Sequence, residues 1–272
     1  MVTAASRPRF ADAVGPCDIL FVTLDTLRYD VAVSLAASGR TPAVVRAAGA
    51  WERRHSPGSF TYAAHHAFFA GFLPTPVTPG PHPRPYAAAF PGSETTDDDT
   101  WVFDAPDLPS GLAAAGYRTV CLGGVGFFTR RTPLGSVLPG LFTESHWEPG
   151  FGVTAPGCLD AQLDRLTEIV AGAAGPLFVF VNVAALHQPN RHYLPGARDD
   201  SLASHAAALE YVDSRLPRLF QLMTSRGRAC HTVMCSDHGT AYGEDGYHGH
   251  RVAHEVVWTV PYAEFLLTPG AW

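Results

Sequence analysis

The sequence predicts an α/β protein, a three-layer sandwich built on a mainly parallel central sheet. Three observations carry that expectation: short apolar runs alternate with helix-like stretches, the runs are apolar throughout rather than at every second residue, and the helical stretches stop at glycine. Strands that are apolar throughout are covered on both faces, the usual condition of parallel sheets flanked by helices. In order, "DILFVTL" (18–24), "RTVCLGG" (118–124), "LFVFVNV" (177–183), "HTVMCS" (231–236) and "YAEFLL" (262–267) read as strands. "TPAVVRAAGA" (41–50) reads as a helix because Thr41 and Pro42 take N-cap and first-turn positions. "DLPSGLAAAG" (107–116), "LDAQLDRLTEIVAGAAG" (159–175) and "SLASHAAALEYVDSRLPRLFQLMTSRG" (201–227) are helical stretches ending on or near glycine, with Pro217 expected to break or kink the last. Residues 74–106, rich in Pro, Gly and Asp, and residues 126–156 read as long surface excursions.

A chain of 272 residues, 46% of them hydrophobic, buries a sizeable core and fits one domain spanning residues 1–272. Its formal charge of −6 supplies no general attraction for nucleic acid or an anionic membrane. Neither is expected as a partner, and any anion recognition has to be local. All 19 basic residues are arginines, which removes every mechanism that needs an ammonium group. The five cysteines, Cys17, Cys121, Cys158, Cys230 and Cys235, lack Cys-x-x-Cys spacing and read as reduced, buried thiols. The opening "MVTAASRPRFADAVGPC" has no apolar signal core, and no run approaches the ~18 apolar residues of a membrane span. A cytoplasmic protein is the expectation.

Parallel sheets collect functional groups where the strands end at their carboxyl edge. Asp25 follows the first strand in "FVTLDTLRYD", and Asp237 with His238 follows a late one in "VMCSDHG". A carboxylate at such a place is costly unless a cation or a donor meets it, and a divalent metal between the two would do so. Either aspartate alone reads equally well as a helix cap or the start of a turn; together, with His238 adjacent, they point to metal. "DHGTAYGEDGYHGHRVAHEVVWTVP" adds His248, His250 and His254 among glycines, and "FVFVNVAALHQPNRHY" adds His187 and His192 after another strand. Aspartate with clustered histidine suits zinc or another first-row metal better than calcium or magnesium. In "SPGSFTYAAHHAFFAGFLP" (56–74), Thr61 is a natural N-cap, and the same helix start offers N–H groups to a phosphate or sulfate oxygen. A hydroxyl beside a metal can also lose its proton and become a nucleophile.

Taken in order, these segments resemble the alkaline phosphatase superfamily, which includes sulfatases, nucleotide pyrophosphatase/phosphodiesterases and cofactor-independent phosphoglycerate mutases. "DILFVTLDTLRYD", "TPAVVRAAGAWERRHSPGSFT", "LAAAGYRTVCLGG", "LHQPNRHY" and "CSDHGTAYGEDGYHGHRVAHEVVWTVP" are similar to its segments, in its order, over most of the chain. The resemblance implies an alkaline-phosphatase-like fold and one or two divalent ions, zinc ahead of Mn, Mg or Ca. It implies Thr61 as nucleophile and ligand beside Asp25, Asp237 and His238, with His187 and His250 serving a second ion. Counting back from Gly71 and Pro74, the sulfatase nucleophile position falls on Thr61, with His65 where that motif has arginine. Threonine cannot become formylglycine, and Gly124 stands where sulfatases carry a lysine, so the similarity is to the phosphodiesterase branch. One carboxylate of that branch is missing: its position falls on Val183, beside Asn182. Asn182, His192, His248, Glu244 or Asp245 completes the second site, or a single ion binds.

The activity implied is that of a metal-dependent hydrolase of phosphate esters, acting on a small phosphorylated molecule through a phospho-threonine at Thr61. Arg28, a turn after Asp25, and His65 are the expected substrate contacts, Arg28 forking onto a non-bridging oxygen. A structural salt bridge for Arg28 and a satisfied core histidine for His65 are the alternatives. For the chain as a whole the alternatives are a sulfatase-like hydrolase, a phosphotransferase or mutase on the same site, or an inactive metal-binding scaffold protein.

Overall fold

The computed structural model describes residues 9–71 and 106–272. After a short helix α1 (Phe10–Ala13), strand β1 (Asp18–Leu24) is buried at every position. Helices α2 (Tyr29–Ala37) and α3 (Pro42–Ala48) follow, then strand β2 (Glu52–His55) and helix α4 (Thr61–Ala70). From residue 106 the order is α5 (Leu108–Ala114), β3 (Arg118–Leu122), α6 (Pro133–Gly140), β4 (Glu144–His146), α7 (Cys158–Ala171), β5 (Leu177–Val183) and α8 (Leu202–Thr224). The chain closes with β6 (Cys230–Cys235), a ribbon of β7 (Ala241–Tyr242) and β8 (His248–Gly249), helix α9 (Glu255–Trp258) and β9 (Thr259–Leu267).

Seven strands form one sheet in the order β2-β9-β6-β1-β5-β3-β4. β6, β1, β5, β3 and β4 run parallel, while β9 is antiparallel to its neighbours β6 and β2. Side chains alternate between faces along a strand. Leu20, Val22 and Leu24 of β1 therefore pack in a cluster with residues of α2, α3, α7 and α8, while Ile19 and Phe21 pack with residues of α4, α5 and α6. That alternation makes the three layers, and each fully buried Leu or Phe in them contributes about 1.5–3 kcal/mol. α3 takes its N-terminal acceptor from another helix: Asp213 of α8 accepts from the amides of Ala43 (3.0 Å) and Val44 (2.9 Å).

Two sequence expectations are corrected here. Pro217 does not end α8, which is a single helix from Leu202 to Thr224. A helical proline costs about 3 kcal/mol, but Pro217 itself is exposed while Leu216, Leu219, Phe220 and Met223 around it are buried in the core. The stretch 126–156 is not a plain excursion either, since it holds α6 and the edge strand β4. Thr132 caps α6 by accepting from the Gly135 amide (3.0 Å), and Pro133 takes its first position. The other excursion, 74–106, lies outside the described residues except for Pro106.

Register places the site. Thr23 pairs with Asn182 of β5 on one side and with Cys235 of β6 on the other. The residues just past β1, β5 and β6 thus leave the sheet side by side, at its carboxyl edge.

Candidate metal centre and active site

Asp25 leaves β1 with its amide donating to the Val183 carbonyl (3.1 Å). Thr26 then takes a left-handed backbone, φ +68°, which turns its N–H onto Asp237 Oδ1 (3.1 Å). Asp237 Oδ1 also accepts from the His238 amide (3.0 Å). Asp25 Oδ2 accepts from Asn182 Nδ2 (3.1 Å) and from the Thr61 hydroxyl (3.3 Å). His238 donates from Nδ1 to the Gly239 carbonyl (2.8 Å), which leaves the lone pair on Nε2. Gly239 has to be glycine, because a Cβ there would stand 1.9 Å from the Val256 carbonyl oxygen.

Three acceptors are left over. Asp25 Oδ1 and Asp237 Oδ2 are buried without a hydrogen-bond partner, and His238 Nε2 lies 3.5 Å from Asp237 Oδ2. Among the described residues, Asp25, Asp237 and His238 bring ligand atoms within 4.8 Å of one another, and all three side chains are fully buried. Burial, then the neighbouring Asp237, pushes Asp25 up to about 6, against the pull of His187, His238 and the Asn182 hydrogen bond. Burial pushes Asp237 up to about 7 despite the amides of Thr26 and His238. Burial also lowers His238, with Asp25 opposing. Two buried acids with unpaired oxygens beside a neutral imidazole are costly as they stand, and their O, O, N donor set fits a divalent metal.

Thr61 supplies a fourth donor atom, its hydroxyl oxygen. It is the first residue of α4, not its N-cap; Phe60 holds the cap position and makes no side-chain cap bond. The Thr61 hydroxyl is thereby spared for Asp25 and for His238 Nε2, 3.4 Å away. The first-turn amides of a helix have no intrahelical acceptor, so those of Thr61, Tyr62 and Ala63 remain available at the helix start. Ser56 braces this turn from below: its hydroxyl donates to the Asp237 carbonyl and accepts from the Gly58 amide (3.2 Å).

His187 and His250 stand one ring further out. The His250 ring centroid is 4.8 Å from that of His238 and 5.4 Å from that of His187. Burial, with the charges of His238 and His187, drops His250 to about 3. His187 donates from Nδ1 to the Gln188 carbonyl (2.5 Å). Neither belongs to the close ligand group. Of the residues considered for a second carboxylate, Glu244 is bonded to Arg28 and the Tyr242 amide, Asp245 pairs with His254 (3.1 Å), and His192 and His248 are exposed. Asn182 bonds Asp25, Thr23 Oγ1 (3.2 Å) and the Val125 amide (3.0 Å), so it orients Asp25. Gly124 packs on it so closely that a Cβ would meet the Asn182 carbonyl oxygen at 2.3 Å, which leaves no room for a lysine there.

No protein-family model matches the chain, and no curated protein matches it in sequence. Solved structures do. The C-terminal periplasmic domain of the phosphoethanolamine transferase EptC from Campylobacter jejuni superposes with a TM-score of 0.64 at 12% identity, over 93% of this chain and 80% of that one. The corresponding domain of EptC from Escherichia coli, solved in complex with Zn, gives 0.62 at 14% identity over 95% and 74%. The lipoteichoic acid synthase LtaP from Listeria monocytogenes gives 0.61 at 14% identity over 95% and 67%. The chain shares its fold with these domains, an α/β sandwich on a mainly parallel sheet, as the sequence led us to expect.

The expected cytoplasmic location is corrected by this likeness, because both EptC structures are periplasmic domains. An N-terminal stretch without an apolar core carried no information on compartment. Among the described residues no helix is long and apolar enough to cross a membrane.

Two expected substrate contacts are corrected by packing. His65 is 0% exposed, donates from Nδ1 to the Thr61 carbonyl (2.8 Å) and bonds the Thr23 hydroxyl through Nε2 (3.0 Å). Phe68, Phe69, Phe128 and Phe180 surround its ring, and burial holds it neutral by lowering it to about 3. It is a core histidine that fixes the first turn of α4. Arg28 is 3% exposed, and its guanidinium is taken by Asp30 (2.9 and 2.6 Å), Glu244 and the Thr240 carbonyl (3.4 Å). Four hydrogen bonds, to Asp30, Glu244 and the Thr240 carbonyl, hold Arg28 between the loop after β1 and the β7–β8 ribbon and commit it to bracing. Sequence reasoning missed the brace by Ser56 and the placement of Arg251, described below; neither residue carries a local pattern that marks it.

Proposed function

We propose that the chain catalyses metal-assisted phosphoryl transfer from a phosphate ester through Thr61, by way of a phospho-threonine intermediate. The observation that carries this is the convergence of two buried carboxylate oxygens without a partner among the described residues, Asp25 Oδ1 and Asp237 Oδ2, and of His238 Nε2 on one hydroxyl held at a helix start. Asp25, Asp237, His238 and Thr61 would hold a divalent ion, zinc first, which when bound would supply Lewis-acid polarisation and lower the pKa of the Thr61 hydroxyl. Asn182 and Thr26 orient the two carboxylates, and the Thr61 oxygen attacks phosphorus in line. The amides at the start of α4 meet the equatorial oxygens as charge builds on them. His187 and His250 border the side from which the leaving oxygen departs.

The acceptor in the second step is water in a hydrolase and a hydroxyl group in a transferase. Structural likeness to phosphoethanolamine transferases and a lipoteichoic acid synthase favours the hydroxyl acceptor as a second reading on the same site. Thr61 in the nucleophile position disfavours sulfate hydrolysis through formylglycine.

The test has three arms. Elemental analysis of the purified protein should find a divalent metal. Turnover of p-nitrophenyl phosphate or bis-p-nitrophenyl phosphate should vanish in Thr61→Ala, and mass spectrometry of quenched wild type should place a phosphoryl group on the Thr61 peptide. Adding an alcohol should divert product to its phosphate ester if the acceptor is a hydroxyl. A protein that binds no metal, or a Thr61→Ala variant that turns over like wild type, sinks the proposal.

A further inference from the structure

With no lysine in the chain, any side-chain cation for a phosphoryl oxygen has to be an arginine or a histidine, and Arg28 is closed off by Asp30 and Glu244. Arg251 is placed differently. It follows His250, and its amide donates to the Ser59 carbonyl (2.8 Å), two residues before Thr61. Its guanidinium lies over the ring of Phe60, the residue directly before Thr61, with Cζ 5.6 Å from the ring centroid. Two contacts thus tether Arg251 to the segment that delivers the nucleophile, one through the backbone and one through the side chain.

Arg251 is also exposed and lacks a carboxylate partner among the described residues, whereas Arg40, Arg118 and Arg226 each face one. Its backbone sits at φ +66°, a region that side-chain-bearing residues rarely adopt. The residue before it, His250, has its ring centroid 4.8 Å from that of His238, which sets the Arg251 backbone beside the centre. A guanidinium resting on an aromatic face keeps its N–H groups free at the rim, and such groups match phosphate oxygens in geometry and charge.

Resting on the phosphoryl-transfer reading above, we infer that Arg251 binds an anionic oxygen of the phosphoryl group at the mouth of the site. It takes the place that sequence reasoning gave to Arg28, and it makes the substrate's charge, rather than its carbon skeleton, the feature recognised on this side.

The experiment is calorimetric titration of the metal-loaded protein with inorganic phosphate, alongside kinetics on p-nitrophenyl phosphate, for wild type, Arg251→Gln, Arg251→Lys and Arg251→Gly. Arg251→Gly accepts the left-handed backbone without strain, so it guards against a Gln variant that fails to fold. Loss of one charge-assisted contact should weaken phosphate about tenfold or more and raise KM in parallel, with Arg251→Lys recovering part of the loss. Metal content and melting temperature should stay at wild-type values in both the Gln and the Gly variant. A change below about threefold with fold and metal intact overturns the inference. Loss of metal in both variants also overturns it, since Arg251 would then brace the ribbon rather than bind substrate. Repeating the phosphate titration in the Thr61→Ala background separates the two claims: turnover surviving there defeats the nucleophile, while the phosphate affinities still report on Arg251 alone.

Discussion

β1 starts on one aspartate and is followed by another, and the two could hardly be treated more differently. Asp18 and Asp25 are both 0% exposed. At the amino edge of the sheet, Asp18 accepts from Arg226 Nε (2.6 Å), Arg228 Nε (3.0 Å) and the Leu177 amide (3.0 Å). At the carboxyl edge, Asp25 meets amide, hydroxyl and imidazole but no guanidinium, keeps one oxygen unpaired, and faces Asp237 in the same condition. One edge uses a buried carboxylate to close the structure with the chain's own cations. The other leaves its carboxylates needing a cation from outside, at a standing cost in stability.

The largest effect should come from breaking the open edge. Asp237→Asn should lower turnover by about a thousandfold, near 4 kcal/mol of transition-state stabilisation, and deplete bound metal. Stripped of metal, that variant should melt no lower than stripped wild type, because a buried carboxylate oxygen without a partner among the described residues has been removed. A lower melting temperature would mean that Asp237 is as well satisfied as Asp18.

Breaking the closed edge should do the reverse. Asp18→Ala strands two guanidiniums, Arg226 being 5% exposed, and should cost about 3 kcal/mol in urea unfolding. Turnover per folded molecule should not change.

The third effect is a pH slope. Asp25 and Asp237 hold their protons to about 6 and about 7 in the fold, against an ordinary value near 3.8. Between those limits the native state binds more protons than the unfolded chain, so the metal-free protein should lose stability as pH rises from about 4 to about 7. A loss on the order of 2 kcal/mol is expected once water relieves part of the burial. Added metal should cancel it, and metal-free Asp237→Asn should show a shallower slope in calorimetric scans.

The smallest effect is the control. Arg40 and Glu210 form an exposed ion pair (2.6 Å), and Arg40→Ala should change stability by less than about 1 kcal/mol, since water screens what burial would have amplified.

What could be read from the sequence follows the same physics. The runs 18–24 and 177–183 coincide with β1 and β5, because strands covered on both faces are apolar at every position and announce themselves. β2, with the sequence Glu-Arg-Arg-His, is an exposed edge strand and has no such signature; its pairing with β9 makes it a strand. The loops that carry Asp25, Asp237 and His238 were legible because acidic and imidazole side chains directly after apolar runs are unusual. Burial of individual polar side chains was not. His65 and Arg28 sit close to the centre in sequence, yet each is closed off by partners distant in the chain, Thr23 for one and Glu244 for the other. Arg251 was passed over for the converse reason: without a carboxylate partner for its guanidinium among the described residues, it is tied to the Thr61 segment through Ser59 and Phe60, which only the folded arrangement reveals.

Among the described residues the edge strand β2 pairs with β9 alone, and the Ser56 amide that follows it donates to the Trp258 carbonyl (2.7 Å). The segment that carries Thr61 into place is therefore hung on residues 258–267, synthesised some two hundred residues after it. During translation the nucleophile has no assembled surroundings until that late strand slots between β2 and β6. The setting of Thr61 is thus the last part of the fold to be completed, and a product cut short before Thr259 would carry Asp25, Thr61, Asp237 and His238 without the strand on which the Thr61 segment hangs.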